Sequence, residues 1–305
     1  MANQLNRQTA NSRTRRKTTL HKRKRLKYIA VLPTAVTLVN ALCGFLSIVY
    51  ASRGPLFFRV SGYLIVLAMI ADIFDGQVAR WSGSASGFGG QLDSLSDVLS
   101  FGAAPAFLMF KVMEFHLGLE ASTRKFFFPA SLWKAFPQDS PQLAQLAGRW
   151  VLFTAIFYVL CAIIRLARFN VENDTDVSAH QNFAGLPSPA AAGVVVSLVI
   201  FQEDFLVHLG SRLPEFSTTL IDITRWILPL AVLASGILMV TRIRYSHLAN
   251  KLLRGKKNFV TVLLVLFAVF LAVWNIELAL ILGFWGFAAA GVIRELFGRV
   301  FRKHI

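Results

Sequence analysis

Long hydrophobic segments are the feature that most limits what this chain can fold into. Spanning a bilayer as a helix takes about 20 apolar residues. Eight segments approach that length, at residues 29–51, 60–80, 92–114, 149–170, 186–203, 223–242, 257–275 and 277–297. The sequence therefore predicts an all-α, polytopic membrane helix bundle with about eight transmembrane helices. Only the surroundings of Asn275 separate the last two segments, so a count of seven stays open.

The distribution of positive charge predicts which way the bundle faces. The net charge is +16, and residues 1–28 carry ten of the Lys and Arg residues and no acid. With eight spans, the basic residues of 242–257 and 294–305 fall on the same side as the N-terminus. Loops on the cytoplasmic side are enriched in Lys and Arg. We therefore expect both termini on the cytoplasmic side of the cell inner membrane, with the leader against anionic lipid headgroups.

Two other functional classes receive little support from the composition. The basic leader comes with no nucleic-acid recognition fold, so no nucleic-acid partner is expected. Both cysteines, Cys43 and Cys161, lie inside predicted spans, where they are expected to be packing residues. The six histidines have no metal-ligand spacing, which argues against a histidine metal site.

Four carboxylates lie at the ends of the second and third segments, in the stretch DIFDGQVARWSGSASGFGGQLDSLSD. Asp72 and Asp75 are three residues apart and Asp93 and Asp97 are four apart, so each pair shares one face of a helix. A glycine-rich hairpin at 82–90 is expected to fold the second pair back towards the first. Four acids at a membrane boundary repel one another unless cations neutralise them. Because hard cations prefer carboxylate oxygens, the pattern predicts a divalent-metal site.

The same stretch resembles the signature of the CDP-alcohol phosphotransferase family. The matching residues are Asp72, Asp75, Gly76, Ala79, Arg80, Gly89, Asp93 and Asp97. Three further runs are similar to the bacterial and archaeal phosphatidylserine synthase branch of that family. They are DVLSFGAAPAFL at 97–108, RLARFN at 165–170 and FAGLPSPAAA at 183–192.

The resemblance implies a membrane enzyme that joins L-serine to the phosphatidyl group of CDP-diacylglycerol and releases CMP. The four Asp residues would bind Mg²⁺ or Mn²⁺, with a two-metal site expected. Asp97 would also be the general base that takes the proton from the serine hydroxyl. The resemblance further implies a homodimer.

Nucleotide binding is expected at the motif and at the first span. The candidate CDP-binding residues are Thr37, Asn40, Gly76, Ala79, Arg80 and Gly89. In the first span, Pro33, Thr37 and Asn40 fit a pattern that lines the nucleotide pocket in the family, while Thr34 stands where an Asn is usual. The alternative for Asn40 is a hydrogen bond between helices.

Arg165 and Arg168 are the candidate serine-binding residues. They are three apart, on one helix face and on the expected side of the membrane. A guanidinium binds a carboxylate through two parallel hydrogen bonds. The alternative is that these side chains only extend to lipid headgroups.

The chain is expected to divide into three parts. These are a basic cytoplasmic segment at 1–28, a catalytic membrane core at 29–203 and membrane helices at 204–305 that complete the bundle. Insertions on the outer side are expected at 116–149 and 204–222. Two other functions stay open: a transferase that uses another alcohol, such as glycerol phosphate or an inositol compound, and a cation channel or transporter.

Overall fold

A computed structural model describes most of the predicted bundle. It covers residues 34–82, 87–117, 142–175, 185–241, 243 and 271–302. Side chains at 78–82, 87, 142–145, 172–175 and 298–302 are not described. Within these ranges the chain forms helices and turns and no strand.

Residues 271–274 belong to one helix, and nine further α-helices have described bounds. They are α1 (Thr34–Ala51), α2 (Phe58–Ser82), α3 (Gly87–Asp97), α4 (Ala104–His116), α5 (Gln142–Thr175), α6 (Ser188–Ile200), α7 (Val207–Gly210), α8 (Pro214–Val240) and α9 (Ile276–Arg302). A π-helical turn, Val98–Ala103, joins α3 to α4, and a second, Phe201–Leu206, joins α6 to α7. Proline in the first turn of α4, α6 and α8 favours these starts, because the first amide groups of a helix have no partner within the helix.

Seven stretches of these helices are long and apolar enough to cross a membrane. They are Thr34–Ala51, Pro55–Gln77, Phe88–His116, Leu146–Val171, Ser188–Gly210, Pro214–Val240 and Ile276–Phe297. The prediction of an all-α, multi-pass membrane bundle is therefore confirmed. Most of the expected segment 257–275 lies outside the described residues, so a count of eight stays a prediction. Residues 271–274 are helical and the helix is interrupted at Asn275, where the sequence suggested a break.

The centre of the bundle is α6, the most buried of the spans. It packs against α2, α8 and α9. Its small residues allow close approach, and the ring of Phe284 in α9 lies directly against Gly193. Trp285 Nε1 also donates a hydrogen bond to the carbonyl oxygen of Val194, at 3.1 Å.

The first π-helical turn is fixed by α5, which also packs along α8. The fully buried Tyr158 hydroxyl donates to the carbonyl oxygen of Phe101 at 3.0 Å. A π-helical turn disturbs the regular pairing of backbone groups, and this contact satisfies one of them.

Two expectations about loops were wrong. No insertion occupies 204–222, because the helix that starts at Ser188 continues to Gly210 and only three residues separate it from α8. The polar residues there stay helical since they have partners on other helices, such as Arg59 for Asp204 at 3.0 Å. The expected division at 203/204 thus falls within a helix. The predicted hairpin at 82–90 is also shorter, because α3 begins at Gly87.

Parts of other expectations lie outside the described residues. The segment 1–28 and residues 118–141 of the expected 116–149 insertion are among them. The described end of that insertion, from Gln142, is already helical.

Candidate active site

Three carboxylates from α2 and from the C-terminal half of α3 meet at one place. One oxygen each from Asp72, Asp93 and Asp97 lies within 4.8 Å of the others. Asp97 is buried, and Asp72 and Asp93 are half-buried. Among the side chains that the structure describes, no Lys or Arg lies within 4 Å of them. We call these three residues the acidic site.

The acidic site fits a divalent cation. Its donors are oxygens only, from two helices, and hard cations such as Mg²⁺ and Mn²⁺ prefer such donors. Three nearby negative charges, two of them half-buried and one buried, are also costly without a positive charge between them. The donor set therefore agrees with the metal predicted from the sequence.

Asp75 has a different environment from the other three. It is buried and accepts a hydrogen bond from the Thr37 hydroxyl of α1. Its carboxylate is not part of the group of three oxygens. Its predicted role as a metal ligand stays a prediction.

Helix α1 contacts the carboxylates through the face that the sequence singled out. Besides the contact of Thr37 with Asp75, Asn40 Nδ2 donates to Asp97 Oδ1 at 3.2 Å. Both α1 side chains are buried, at 3% and 0% exposure. The structure therefore places the two predicted nucleotide-binding residues against catalytic candidates, and their contact with nucleotide stays a prediction.

Two serines, one in α3 and one in the π-helical turn that follows it, fix α1 in this position. Ser96 donates to the carbonyl oxygen of Thr37 at 3.0 Å and Ser100 to that of Asn40 at 2.9 Å. A Cβ atom on Gly44 would lie 2.7 Å from Ser100 Cα, so the two helices approach closely there. Neither serine was predicted from the sequence. Their signal was a polar pair four residues apart within an apolar span, which places both on one helix face.

The two glycines of the motif lie on the helices that carry the acidic site, and Gly76 has open space around it. A Cβ atom on Gly76, which follows Asp75 in α2, would meet no heavy atom within 4 Å among the described residues. Gly89 lies half-buried near the start of α3. Ala79 and Arg80 belong to α2, but their side chains are outside the described part, so their roles stay predictions.

One of the two predicted arginines faces the acidic site. Arg165, on α5, interacts electrostatically with Asp97. Its Nη1 donates to the hydroxyl of Ser188 at 2.7 Å, at the start of α6. Arg168, one turn further along α5, is half-buried, and its predicted role stays a prediction.

A second polar contact joins α5 to α3. The side chains of Asn170 in α5 and Ser94 in α3 are hydrogen-bonded at 3.0 Å. Ser94 precedes Asp97 by three residues in α3. Neither Ser94 nor Ser188 was predicted from the sequence to have a role. Taken together, the site offers carboxylates for cations, a carboxylate that can accept a proton, and a guanidinium that can bind an anion.

Comparison with known proteins places this site in a family. The family model described as CDP-alcohol phosphatidyltransferase matches residues 30–237. A CDP-diacylglycerol–serine O-phosphatidyltransferase of Helicobacter pylori is 29% identical over 267 residues, which are 88% of this chain and 92% of that protein. The protein of the same name from Methanocaldococcus jannaschii is 28% identical over 227 residues, 74% of this chain and 79% of that protein.

A third relative carries a different name. The archaetidylserine synthase of Methanothermobacter thermautotrophicus is 33% identical over 179 residues, 58% of this chain and 61% of that protein. The family model covers more than half of the chain and includes every residue of the site described above. The chain therefore belongs to the CDP-alcohol phosphatidyltransferase family.

Proposed function

We propose that this chain is a CDP-diacylglycerol–serine O-phosphatidyltransferase, which converts CDP-diacylglycerol and L-serine to phosphatidylserine and CMP. The observation that carries the proposal is the acidic site beside Arg165, where three carboxylate oxygens lie within 4.8 Å of one another. Relatives that match most of this chain carry the name of this activity.

The acidic site would hold the metal. Asp72, Asp93 and Asp97 are the proposed ligands, with Asp75 as a fourth that Thr37 orients. Two ions, Mg²⁺ or Mn²⁺, would neutralise charge on the transferring phosphate and on its leaving group. The contacts of α1 with Asp75 and Asp97 hold these carboxylates in place before substrate binds.

Asp97 is the proposed general base. The serine hydroxyl oxygen attacks the phosphorus that carries the diacylglycerol, the bond from that phosphorus to the CMP oxygen breaks, and CMP leaves with the bonding electrons. The hydroxyl proton moves to Asp97. Asn40 donates to Oδ1 of Asp97, which leaves Oδ2 to accept that proton.

The nucleotide would lie over the motif glycines. Gly76 offers open space on α2, so the CDP group can approach the helix backbone closely. Arg80 is the proposed partner of the diphosphate, and Ala79 and Gly89 keep the neighbouring surface shallow. Thr37 and Asn40 are proposed to border the same pocket from α1.

Arg165 is the proposed partner of the serine carboxylate, with Arg168 as a second candidate. Arg165 interacts electrostatically with Asp97, which supports placing the carboxylate of the amino acid at Arg165 and its hydroxyl towards Asp97. The lipid tails need no pocket of their own, because a site between spans opens to the bilayer. A cytoplasmic orientation in the inner membrane and assembly as a homodimer belong to the same proposal.

The decisive test is CMP release from CDP-diacylglycerol by the purified protein in detergent, with Mg²⁺ or Mn²⁺ and a panel of acceptor alcohols. Release that requires L-serine and metal, with phosphatidylserine as product, is the expected result. Release only with glycerol phosphate or an inositol compound would overturn the acceptor while keeping the reaction type. Absence of release with every acceptor would favour an ion-transport role.

A further inference from the structure

Ser188 is a fully buried side chain whose hydroxyl faces the proposed acceptor site. It is the first residue of α6, the central helix, and it is 0% exposed. Its oxygen accepts a hydrogen bond from Arg165 Nη1 at 2.7 Å. Arg165 Nε is also buried and has no hydrogen-bond partner among the described residues. The guanidinium is thus held at one nitrogen, while another of its donors is left for a ligand.

The turn before Ser188 is fixed to the end of α8. Gly185 N donates to the carbonyl oxygen of Ile243 at 2.9 Å, and Leu186 N donates to that of Leu238 at 3.0 Å. Gly185 has a φ of 91°, and a Cβ atom there would lie 3.0 Å from the carbonyl oxygen of Thr241. The position therefore favours glycine both for its backbone angle and for space. As a result, the Ser188 hydroxyl stands at a rigid point of the bundle.

The hydrogen bond between Arg165 and Ser188 matters because Asp97 lies near Arg165. Arg165 interacts with Asp97, yet the two do not form an ion pair within 4 Å. A direct ion pair would occupy the proposed base and the proposed carboxylate partner together. The hydrogen bond to Ser188 holds Arg165 on the α6 side, so both groups stay available.

We propose that Ser188 is a positioning residue that sets the affinity for the acceptor amino acid. It holds the guanidinium of Arg165 in the orientation that binds the carboxylate of L-serine through two hydrogen bonds. This inference rests on the proposed function, because it assumes an acceptor that carries a carboxylate.

The test compares KM and kcat of Ser188→Ala with those of the wild type in the CMP-release assay. We expect the KM for L-serine to rise by about tenfold or more, since a loosened guanidinium no longer presents a fixed pair of donors. The KM for CDP-diacylglycerol should not change. Ser188→Thr keeps the hydroxyl, so its KM for L-serine should stay closer to the wild-type value than that of Ser188→Ala. The matched control is Ser197→Ala, a buried serine of the same helix that donates to the carbonyl oxygen of Val194 at 3.2 Å.

A double-mutant cycle distinguishes positioning from a general packing role. If Ser188 acts through Arg165, adding Ser188→Ala to Arg165→Lys should raise the KM for L-serine little further, because the two effects are not additive. Additive effects, or an unchanged KM for L-serine in Ser188→Ala, would overturn the inference. Wild-type protein that releases no CMP with L-serine would instead overturn the proposed function, so the two failures are distinguishable.

Discussion

Two groups of carboxylates in the described part of the bundle differ in how their charge is compensated. Far from the acidic site, a second group, the ion-paired cluster, consists of Arg59, Tyr63, His116, Gln202, Glu203, Asp204 and Glu277. There Asp204 pairs with Arg59 at 3.0 Å, and Glu203 lies 3.8 Å from His116. Tyr63 lies 3.4 Å from both Asp204 and Glu277, as a hydrogen-bond donor.

Helix α2 carries residues of both groups. Arg59 and Asp72 are thirteen residues apart, or about 20 Å along a helix. In the ion-paired cluster the protein supplies the positive charge itself, which ties helices together. At the acidic site no described Lys or Arg lies within 4 Å of the carboxylates, and Arg165 interacts with Asp97 only from a greater distance. In the proposed function a metal ion supplies the positive charge at the acidic site, whereas the ion-paired cluster holds helices together.

Metal removal should produce the largest difference between the two groups. A chelator should reduce CMP release to background, and Mg²⁺ or Mn²⁺ should restore it, because the acidic site then regains its positive charge. Mn²⁺ should also raise the melting temperature of the wild type, since a ligand that binds the folded state stabilises it. Asp93→Asn should weaken this rise and Asp204→Asn should keep it. Full turnover in the chelator would contradict the comparison.

Asp97→Asn should lower kcat by about 10²- to 10⁴-fold, the usual contribution of a general base. Binding of CDP-diacylglycerol should stay measurable. The same exchange at Asp204, in the ion-paired cluster, is the matched control and should leave kcat within about twofold. An Asp97→Asn enzyme with normal turnover would remove Asp97 as the base.

Gly76→Ala should raise the KM for CDP-diacylglycerol by about tenfold, or about 1.4 kcal/mol. The added methyl group meets no described protein atom within 4 Å but occupies the space proposed for the nucleotide. Stability should not fall, because alanine favours a helix over glycine by about 1 kcal/mol. Gly90→Ala is the control, since its added Cβ also meets nothing within 4 Å and it has no proposed role. Equal KM values for both variants would place the nucleotide elsewhere.

Asp204→Asn should lower the free energy of unfolding by about 1 kcal/mol, because Arg59 is half exposed and the amide still accepts a hydrogen bond. Thermal unfolding in detergent measures this loss. Asp222→Asn is the control. Asp222 forms an ion pair with Arg225 at 2.8 Å, but the Asp222 side chain is exposed, so the pair should contribute less to the free energy of unfolding. A folded Asp204→Asn protein without turnover would give the ion-paired cluster a functional role.

The bundle and the acidic site could be predicted because both follow from residues that are close together in the sequence. Hydrophobic length identifies spans, and the spacings of Asp72 with Asp75 and of Asp93 with Asp97 place each pair on one helix face. In the structure, three of the four carboxylates meet, while Asp75 accepts a hydrogen bond from Thr37. This difference depends on how α1 packs against the other helices, and the spacing of the Asp residues does not predict that packing.

The ion-paired cluster was missed for the opposite reason. Glu203 and Asp204 look like the start of a surface loop when only their neighbours in sequence are considered. Asp204 has its partner 145 residues away, at Arg59, and this pairing keeps the polar stretch helical. Long-range pairs of this kind follow from the fold and give no periodic signal. Ser188 was missed likewise, because its partner Arg165 lies on another helix.

The π-helical turn Val98–Ala103 sets an angle as well as a connection. A π-helical turn holds about one residue more than an α-helical turn, and each residue of an α-helix advances by about 100° around the axis. Because the wide turn takes up one extra residue within a single revolution, α3 and α4 keep the relative orientation of a regular helix that is one residue shorter. If the same residues formed a regular α-helical turn, Asp93 and Asp97 would be rotated by about 100° relative to the buried face of α4, away from Asp72. The wide turn therefore acts as a one-residue spacer that keeps the carboxylates and the hydrophobic face of one continuous span in their separate directions.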